Sequence, residues 1–355
     1  MSQDKESNEL NDVNDVNELD KLDEQLKANL EGNFELGWKL CQELEQERPN
    51  CNRCAFNRGW MLLRNGEMKK GFECINRGRY ENVFGSPPLN TDKPIWGLKN
   101  PATPDSKHIL FRSEGGLGDE MINVRFISDI KRLTNAKITV SCSKHLMSVF
   151  SRVEGVDAVV QRDYEEFVYH DCWVPAMSAI SCLDYEYSDL SGKSYLTALG
   201  KPNLGGKIKV GLRWSGNPEF EHQQFRKFDP DLLLNITKDN PDISFYSFQK
   251  DLDLKDLREH TNVEDLSNLL SNWEYTLSFL NDMDLVITSC TSIAHAAAAL
   301  GKETWVITPI LPYYIWALPG NKSPWYDKNW NPLFDNINED LKKFVFNFQN
   351  KMEKE

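Results

Sequence analysis

The chain has 355 residues, 40% of them hydrophobic and 11% aromatic, enough for two or three domains with substantial cores. Its formal net charge of −13 weighs against general nucleic-acid binding, and no uninterrupted apolar run reaches the roughly 18–20 residues of a membrane span. The acidic N-terminus lacks the basic and apolar regions of a secretory signal, so cytoplasmic residence is expected. In that setting eight cysteines spread along the chain are not a disulfide framework. The close pair Cys51 and Cys54 has no second pair at ligand spacing and reads as ordinary thiols rather than a zinc site.

Residues 1–22 form a polar, acidic tail expected to be disordered; the first 24 positions hold nine acids against two lysines. From 23 to 79 the periodicity turns helical. Leu26, Leu30, Phe34 and Trp38 share one face, and Phe56, Trp60, Leu63 and Phe72 continue it after Pro49. This pattern predicts two to four short helices with a turn at Asn65-Gly66. Residues 57–72 have the form of a degenerate tetratricopeptide repeat, with Gly59 where two helices pack closely. Such a block either packs against the following domain or recognises a peptide partner. Residues 80–107, rich in proline, glycine and asparagine, read as a linker anchored by Trp96.

At His108 an α/β alternation begins. Strands at 109–111, 137–141, 156–160 and 167–170, with helices at 120–132 and 145–153, make a Rossmann-like half over 108–203. A second such half spans 204–335, with strands at 207–214, 243–248, 285–287 and 304–308 and helices at 230–239 and 272–281. The last segment, 336–355, contains an amphipathic helix with Leu341, Phe344, Val345 and Phe348 on one side.

The candidate site residues lie where strands run into helices. Leu285 to Ile287 lead through the polar cluster Thr288 to Ser292 into an alanine-rich helix closed by Gly301. Ser289, Thr291 and Ser292 therefore sit at a helix N-terminus, where free N–H groups and the dipole favour an anion such as phosphate. His295, four residues after Thr291, shares its helix face and either orients a phosphate or sugar hydroxyl or is an interior histidine. In the first half Gly115-Gly-Leu-Gly-Asp119 departs from the dinucleotide pattern G-x-G-x-x-G, yet Gly116 and Gly118 still admit close backbone approach to a ligand. Asp119 either caps the following helix or takes a proton from an acceptor hydroxyl. Ser215 and Asn217 occupy the equivalent turn of the second half, as donors to phosphate or ribose or as a plain strand-end turn. Arg226 is the preferred diphosphate ligand, because a guanidinium binds such an anion bidentately, and Lys250 approaches the same anion or is simply exposed. Trp316 and Trp325, in an aromatic-rich loop, either stack on a base or sugar or form a core beneath that loop. The two Asp-x-Asp spacings, Asp251 with Asp253 and Asp282 with Asp284, read as loop or strand-start acids, and no metal ligand is assigned.

Taken together, Gly71-Phe72 with Arg77 and Arg79, the Gly115–Asp119 loop, Val210 to Pro218, Asp284 to Ile287, Thr291-Ser292 with His295, and Ser323 to Tyr326 resemble a known family. It comprises tetratricopeptide-like helices fused to a glycosyltransferase domain related to the ADP-heptose lipopolysaccharide heptosyltransferases. The resemblance implies a GT-B architecture, two Rossmann-like domains facing across a cleft, with a nucleotide-sugar donor held mainly by the second. By that similarity Asp119 matches the catalytic base, Thr291, Ser292 and His295 the donor-phosphate motif, and Arg226 a basic donor contact. The family's motif carries aspartate immediately before the threonine; this chain has Cys290 there.

The expected activity is metal-independent, inverting transfer of a sugar from a nucleotide diphosphate to a glycan, lipid-linked or protein hydroxyl, without a cofactor. Two readings stand beside it: a sugar-nucleotide epimerase, and a scaffold that binds a nucleotide or peptide without turnover, to which Cys290 lends support.

Overall fold

The computed structural model describes residues 21–100, 103, 105–216, 227–250 and 262–330. The tail up to residue 20, the helix expected at 336–350, Asn217, Arg226 and the pair Asp251 and Asp253 lie outside the described residues. The chain divides into two compact units, Met1–Pro87 with Ile310–Leu318, and Pro88–Pro309 with Pro319–Glu355.

The described part of the first unit contains helices α1 (21–30), α2 (Phe34–Glu47), α3 (Asn52–Arg64) and α4 (Met68–Ile75). Asn33 starts α2 by accepting the Leu36 N–H at 3.2 Å. At the end of α3, Gly66 takes a φ of 83°, its N–H donating to Leu63 O at 3.1 Å while the Glu67 N–H donates to Leu62 O at 2.9 Å. This pair of bonds is a Schellman closure, and it makes the turn expected at Asn65-Gly66. It sends α4 back along α3, where Leu63, Met68, Phe72 and Ile75 are buried. A Cβ on Gly59 would lie 2.7 Å from Gly71 O and from Ile75 N, so the helices meet backbone to backbone. The segment 310–318 completes this unit: the Trp60 indole donates to Pro312 O at 2.9 Å, and Tyr314 lies edge-on to Phe72.

One expectation is corrected here. Cys51 and Cys54, read as ordinary thiols, are joined in a disulfide. Cys51 is the N-cap of α3 and Cys54 lies in its first turn, so helix geometry itself brings the two sulfurs together.

The second unit holds two parallel sheets. The first contains β1 (His108–Arg112), β2 (Lys137–Cys142), β3 (Ala158–Gln161) and β4 (Cys172–Pro175) in the order β3-β2-β1-β4. The second contains β5 (Lys209–Arg213), β6 (Ser244–Ser247), β7 (Val263–Asp265), β8 (Leu285–Ser289), β9 (Glu303–Ile307) and β10 (Asn329–Trp330) in the order β10-β9-β8-β5-β6-β7. The pairings in both are parallel. Each sheet starts at its centre and reverses direction once, between β1 and β4 and between β5 and β8. Those reversals open crevices at the carboxyl ends of the strands, where doubly wound sheets bind ligands. The apolar runs of β5 and β8 are buried as covered parallel strands must be, Val210, Leu212, Leu285 and Ile287 packing with Leu233 and Leu234.

Among the described residues the α-helices of this unit are α5 (Leu117–Asn123), α6 (Phe126–Thr134), α7 (Met147–Phe150), α8 (Ala179–Cys182), α9 (Asp231–Asp239), α10 (Trp273–Asp282) and α11 (Ser292–Ala299). The single helix expected at 120–132 is two, broken at Val124 and Arg125, where Arg125 Nε donates to the Ile122 carbonyl at the end of α5 at 2.8 Å. The fourth strand lies at 172–175 rather than 167–170: Phe167 and Tyr169 are exposed, whereas the whole of β4 is buried beside β1. Two short edge strands, β7 and β10, carried too little periodicity to be predicted. Trp96 is buried, its N–H bonding Trp173 O at 2.8 Å, and so holds the segment before β1 against β4. Among the described residues no helix is long and apolar enough to cross a membrane.

Candidate functional site

In the first half, β1 runs into Ser113 and Glu114 and then into the glycine loop that opens α5. Asp119 sits in the first turn, half-buried, and its Oδ2 accepts the Gly116 N–H at 2.8 Å. The carboxylate therefore does cap the helix, and the same bond fixes its position at the mouth of the β1–β4 crevice. Glu114 is fully buried and accepts the Met177 N–H at 3.0 Å, joining the loop after β1 to the residues after β4.

In the second half, β8 ends at Ser289 and turns through Cys290 and Thr291 into α11. Thr291 is the N-cap in extended conformation, but its side chain makes no cap bond; its hydroxyl lies 3.4 Å from that of Thr288. The Ser289 side chain is fully buried, and its hydroxyl has no hydrogen-bond partner among the described residues. The Ser113 hydroxyl, at the end of β1, is in the same condition. A buried unsatisfied hydroxyl costs about 1–3 kcal/mol, and one stands at the carboxyl end of a switch-point strand in each sheet. Cys290 is buried.

The two halves meet at these helix starts. A Cβ on Gly118 would lie 3.1 Å from the His295 ring and 3.5 Å from Ser292 Cα, so a larger residue there would push the α5 and α11 starts apart. His295 is itself buried, with Nδ1 3.3 Å from the Tyr326 hydroxyl and its ring stacked on Tyr326. Beneath this junction Arg125 is buried among aromatic rings, its guanidinium carbon 4.5 Å from the ring centres of both Tyr195 and Tyr326. It donates to Ile122 O and the Tyr195 hydroxyl at 2.8 Å each, and also to Trp325 O. A second tie is the ion pair of Arg152, after α7, with Glu274 of α10, both oxygens accepting at 2.8 Å.

At the end of β5, Ser215 is already engaged. Its N–H donates to Gln249 Oε1 at 3.1 Å, and Gln249 Nε2 donates to its hydroxyl at 2.7 Å. Arg213 completes the clasp through Ser215 O at 2.9 Å and Phe248 O at 2.7 Å. Lys250 follows, exposed. Thus the α5 start, which carries Gly116, Gly118 and Asp119, meets the α11 start through the approach of Gly118 to Ser292 and His295, with Ser289 and Thr291 in the turn before α11, whereas Ser215 belongs to a clasp between β5 and β6.

The two tryptophans expected to stack on a ligand are corrected. Trp325 is buried, edge-on to Phe126 at 6.1 Å and beside Arg125, and is an interior packing ring. Trp316 is likewise buried, in the segment 310–318 that belongs to the other unit. Both fall to the alternative of a core under the loop. Asp282 and Asp284 also have structural duties: Asp282 pairs with Lys209 Nζ at 2.8 Å, and Asp284 accepts the Lys209 N–H at 2.8 Å. Among the described residues no group of three or more His, Cys, Asp or Glu side chains could hold a metal ion. Arg125, Tyr195 and Gln249 were missed because each lies in a stretch whose local pattern says only helix, coil or strand end. Tyr326 stood in the aromatic cluster without a role.

Beside Asp119, Glu120 is buried, bonded to the Ser143 N–H at 2.9 Å and paired with Arg162. Burial outweighs these partners and pushes its carboxyl up to about 7 from an ordinary 4.5. Below 4.5 the group is protonated in both folded and unfolded chains and contributes nothing to the pH dependence. Between 4.5 and 7 the unfolded chain ionises first, so stability falls as pH rises through that window, by about 3 kcal/mol, and levels off above it. Glu120→Gln is expected to flatten this part of a stability–pH profile measured by urea denaturation.

No family model matches the sequence, and no curated protein matches it. Among solved structures, ADP-heptose lps heptosyltransferase II of E. coli is similar at 11% identity, covering 69% of this chain and 98% of that one with a TM-score of 0.48. A glycosyl transferase family 9 protein from Veillonella parvula DSM 2008 is similar at 10% identity over 68% and 90% of the two chains, with a TM-score of 0.49. The iron-containing dodecameric glycosyltransferase TibC from enterotoxigenic E. coli H10407 is similar at 11% identity over 77% and 83%, with a TM-score of 0.48. These scores all lie below 0.5, so the fold assignment stands on the two strand orders.

Proposed function

We propose that the chain is a GT-B glycosyltransferase that moves a sugar from a nucleotide diphosphate to a hydroxyl, with inversion and without a metal ion. What carries this reading is the approach of Gly118 to Ser292 and His295, which brings the Asp119 carboxylate and the anion-attracting start of α11 to one junction. The buried Ser289 hydroxyl supports it, because a donor phosphate oxygen would satisfy that group. Asp119 takes the proton of the attacking hydroxyl as its oxygen bonds the anomeric carbon. The bond from sugar to phosphate breaks, and the leaving diphosphate keeps the electron pair. The N–H groups at the start of α11, the hydroxyls of Ser289, Thr291 and Ser292, and Arg226 stabilise that charge. His295, aligned by Tyr326, orients the donor. In the same reading the helical unit is a tetratricopeptide-like block with a peptide partner, supported by the α3–α4 hairpin.

The test is thermal stabilisation by ADP, GDP, UDP and CMP and their sugar conjugates, followed by turnover with the donor class so identified. Ser289→Ala is expected to leave the unliganded protein as stable or slightly more stable, while shrinking the nucleotide-induced shift. Arg226→Ala shrinks that shift too. Asp119→Asn keeps an oxygen for the Gly116 N–H, so it should retain the nucleotide shift while turnover falls about 100-fold or more. No shift with any nucleotide overturns the reading. A shift without turnover across a broad acceptor panel leaves a nucleotide-binding scaffold, the reading Cys290 favours.

A further inference from the structure

A second chemically competent group lies in the first unit and has no part in sugar transfer. Cys51 is half-buried at the N-cap of α3, and its sulfur accepts the Cys54 N–H at 3.1 Å. Cys54 is buried behind it and bridged to it. Both cysteines line a shallow open hollow together with Arg48, Arg58, Arg77 and a single acid, Glu45. Glu45 pairs with Arg58, whose other terminal nitrogen lies 3.1 Å from the sulfur of Cys74. Arg77 is held over the α3 start by bonds to Asn52 Oδ1 at 3.0 Å and Pro49 O at 3.1 Å. In a chain of net charge −13 this is a local surplus of positive charge at a helix N-terminus.

Positive charge and a helix N-terminus favour the thiolate of a cysteine so placed. The outer sulfur is the more accessible and the inner one is recessed, which is the division of labour thiol–disulfide exchange requires. We propose that Cys51 and Cys54 form a redox-active pair exchanging with small anionic disulfides, glutathione disulfide being the representative substrate. The Cys51 thiolate attacks one sulfur of the disulfide RSSR and expels RS⁻, leaving a mixed disulfide on Cys51. Cys54 then gives up its proton and attacks the Cys51 sulfur, expelling the second RS⁻. Two protein sulfurs are oxidised and RSSR is reduced to two RSH, one departing thiolate taking the proton of Cys54 and the other a proton from solvent, the one Cys51 released on ionising. The arginines attract the carboxylates of the substrate, and the reverse sequence restores the dithiol.

The experiment uses the full chain, reduced and then equilibrated with mixtures of glutathione and its disulfide. Acid quenching, alkylation and peptide mass spectrometry read the products. In the wild type the peptide carrying both cysteines is expected to lose two hydrogens reversibly, with at most a trace of glutathione adduct. Cys54→Ser should trap the adduct on Cys51, and Cys51→Ser should leave Cys54 unmodified. Before oxidation, Cys51 of the wild type should react with iodoacetamide at pH 7 several-fold faster than Cys54. Thiols that remain fully alkylatable at every glutathione ratio overturn the proposal, as does an adduct forming on Cys54 of Cys51→Ser as fast as on Cys51 of Cys54→Ser. The wild-type alkylation rates decide the matter even where a serine variant fails to fold.

Discussion

Replacing Arg125 by alanine is expected to destabilise the second unit by about 3 kcal/mol and to abolish ordered nucleotide binding. The guanidinium is buried and lies against Tyr195, Tyr326 and Trp325. Truncation removes those contacts and deprives Ile122 O, Trp325 O and the Tyr195 hydroxyl of a donor. It also frees Tyr326, which aligns His295, so the effect passes from packing to the site. Arg125→Lys keeps the charge and part of the volume but loses the planar fork, and an intermediate loss is expected. Urea denaturation of both variants, followed by tryptophan fluorescence, checks the order wild type, lysine, alanine. Equal stability of all three would show that Arg125 is dispensable to the junction.

Gly59→Ala should loosen the α3–α4 hairpin by about 2 kcal/mol, although alanine is intrinsically the better helix former by about 1 kcal/mol. The added methyl would meet Gly71 O and Ile75 N at 2.7 Å, and these are backbone atoms that no side-chain rotation can move away. Overpacking therefore outweighs the propensity gain. Gly66→Ala is the control: nothing lies within 4 Å of its Cβ position, and only the φ of 83° resists the change, at about 1 kcal/mol. Amide hydrogen exchange across 52–75 reads both, since it reports local opening of this hairpin separately from the rest of the chain. Faster exchange in Gly66→Ala than in Gly59→Ala would overturn this account of the hairpin.

Much of the second unit was legible because parallel strands buried on both faces are written as short apolar runs, as in Val210 to Leu212 of β5, Leu285 to Ile287 of β8 and Trp305 to Ile307 of β9. The Asn65-Gly66 turn was legible because its chemistry is local. The short edge strands were not, for β10 has two residues and β7 three, and each takes its extended form from the strand it pairs with. Phe167 to His170 misled in the other direction: its rings at Phe167 and Tyr169 face solvent while Cys172 to Pro175 takes the sheet edge.

At the candidate site the same division holds. Glycines before a helix and hydroxyls at a helix start are local signals, so Gly116, Gly118, Asp119, Ser289, Thr291, Ser292 and His295 could be named from their spacing alone. Which of them meet was decided by the juxtaposition of two sheets, since Gly118 and Ser292 lie 174 positions apart and touch through α5 and α11. Likewise, whether an aromatic ring stacks on a ligand or fills a core depends on what lies above it. For Trp325 that is Phe126 and Arg125, which no local pattern encodes. Periodicity and turn chemistry determined the elements and the order in which they follow one another. Long-range packing alone decided where Arg125 is buried, which tryptophans are inaccessible, and that the starts of α5 and α11 meet at Gly118.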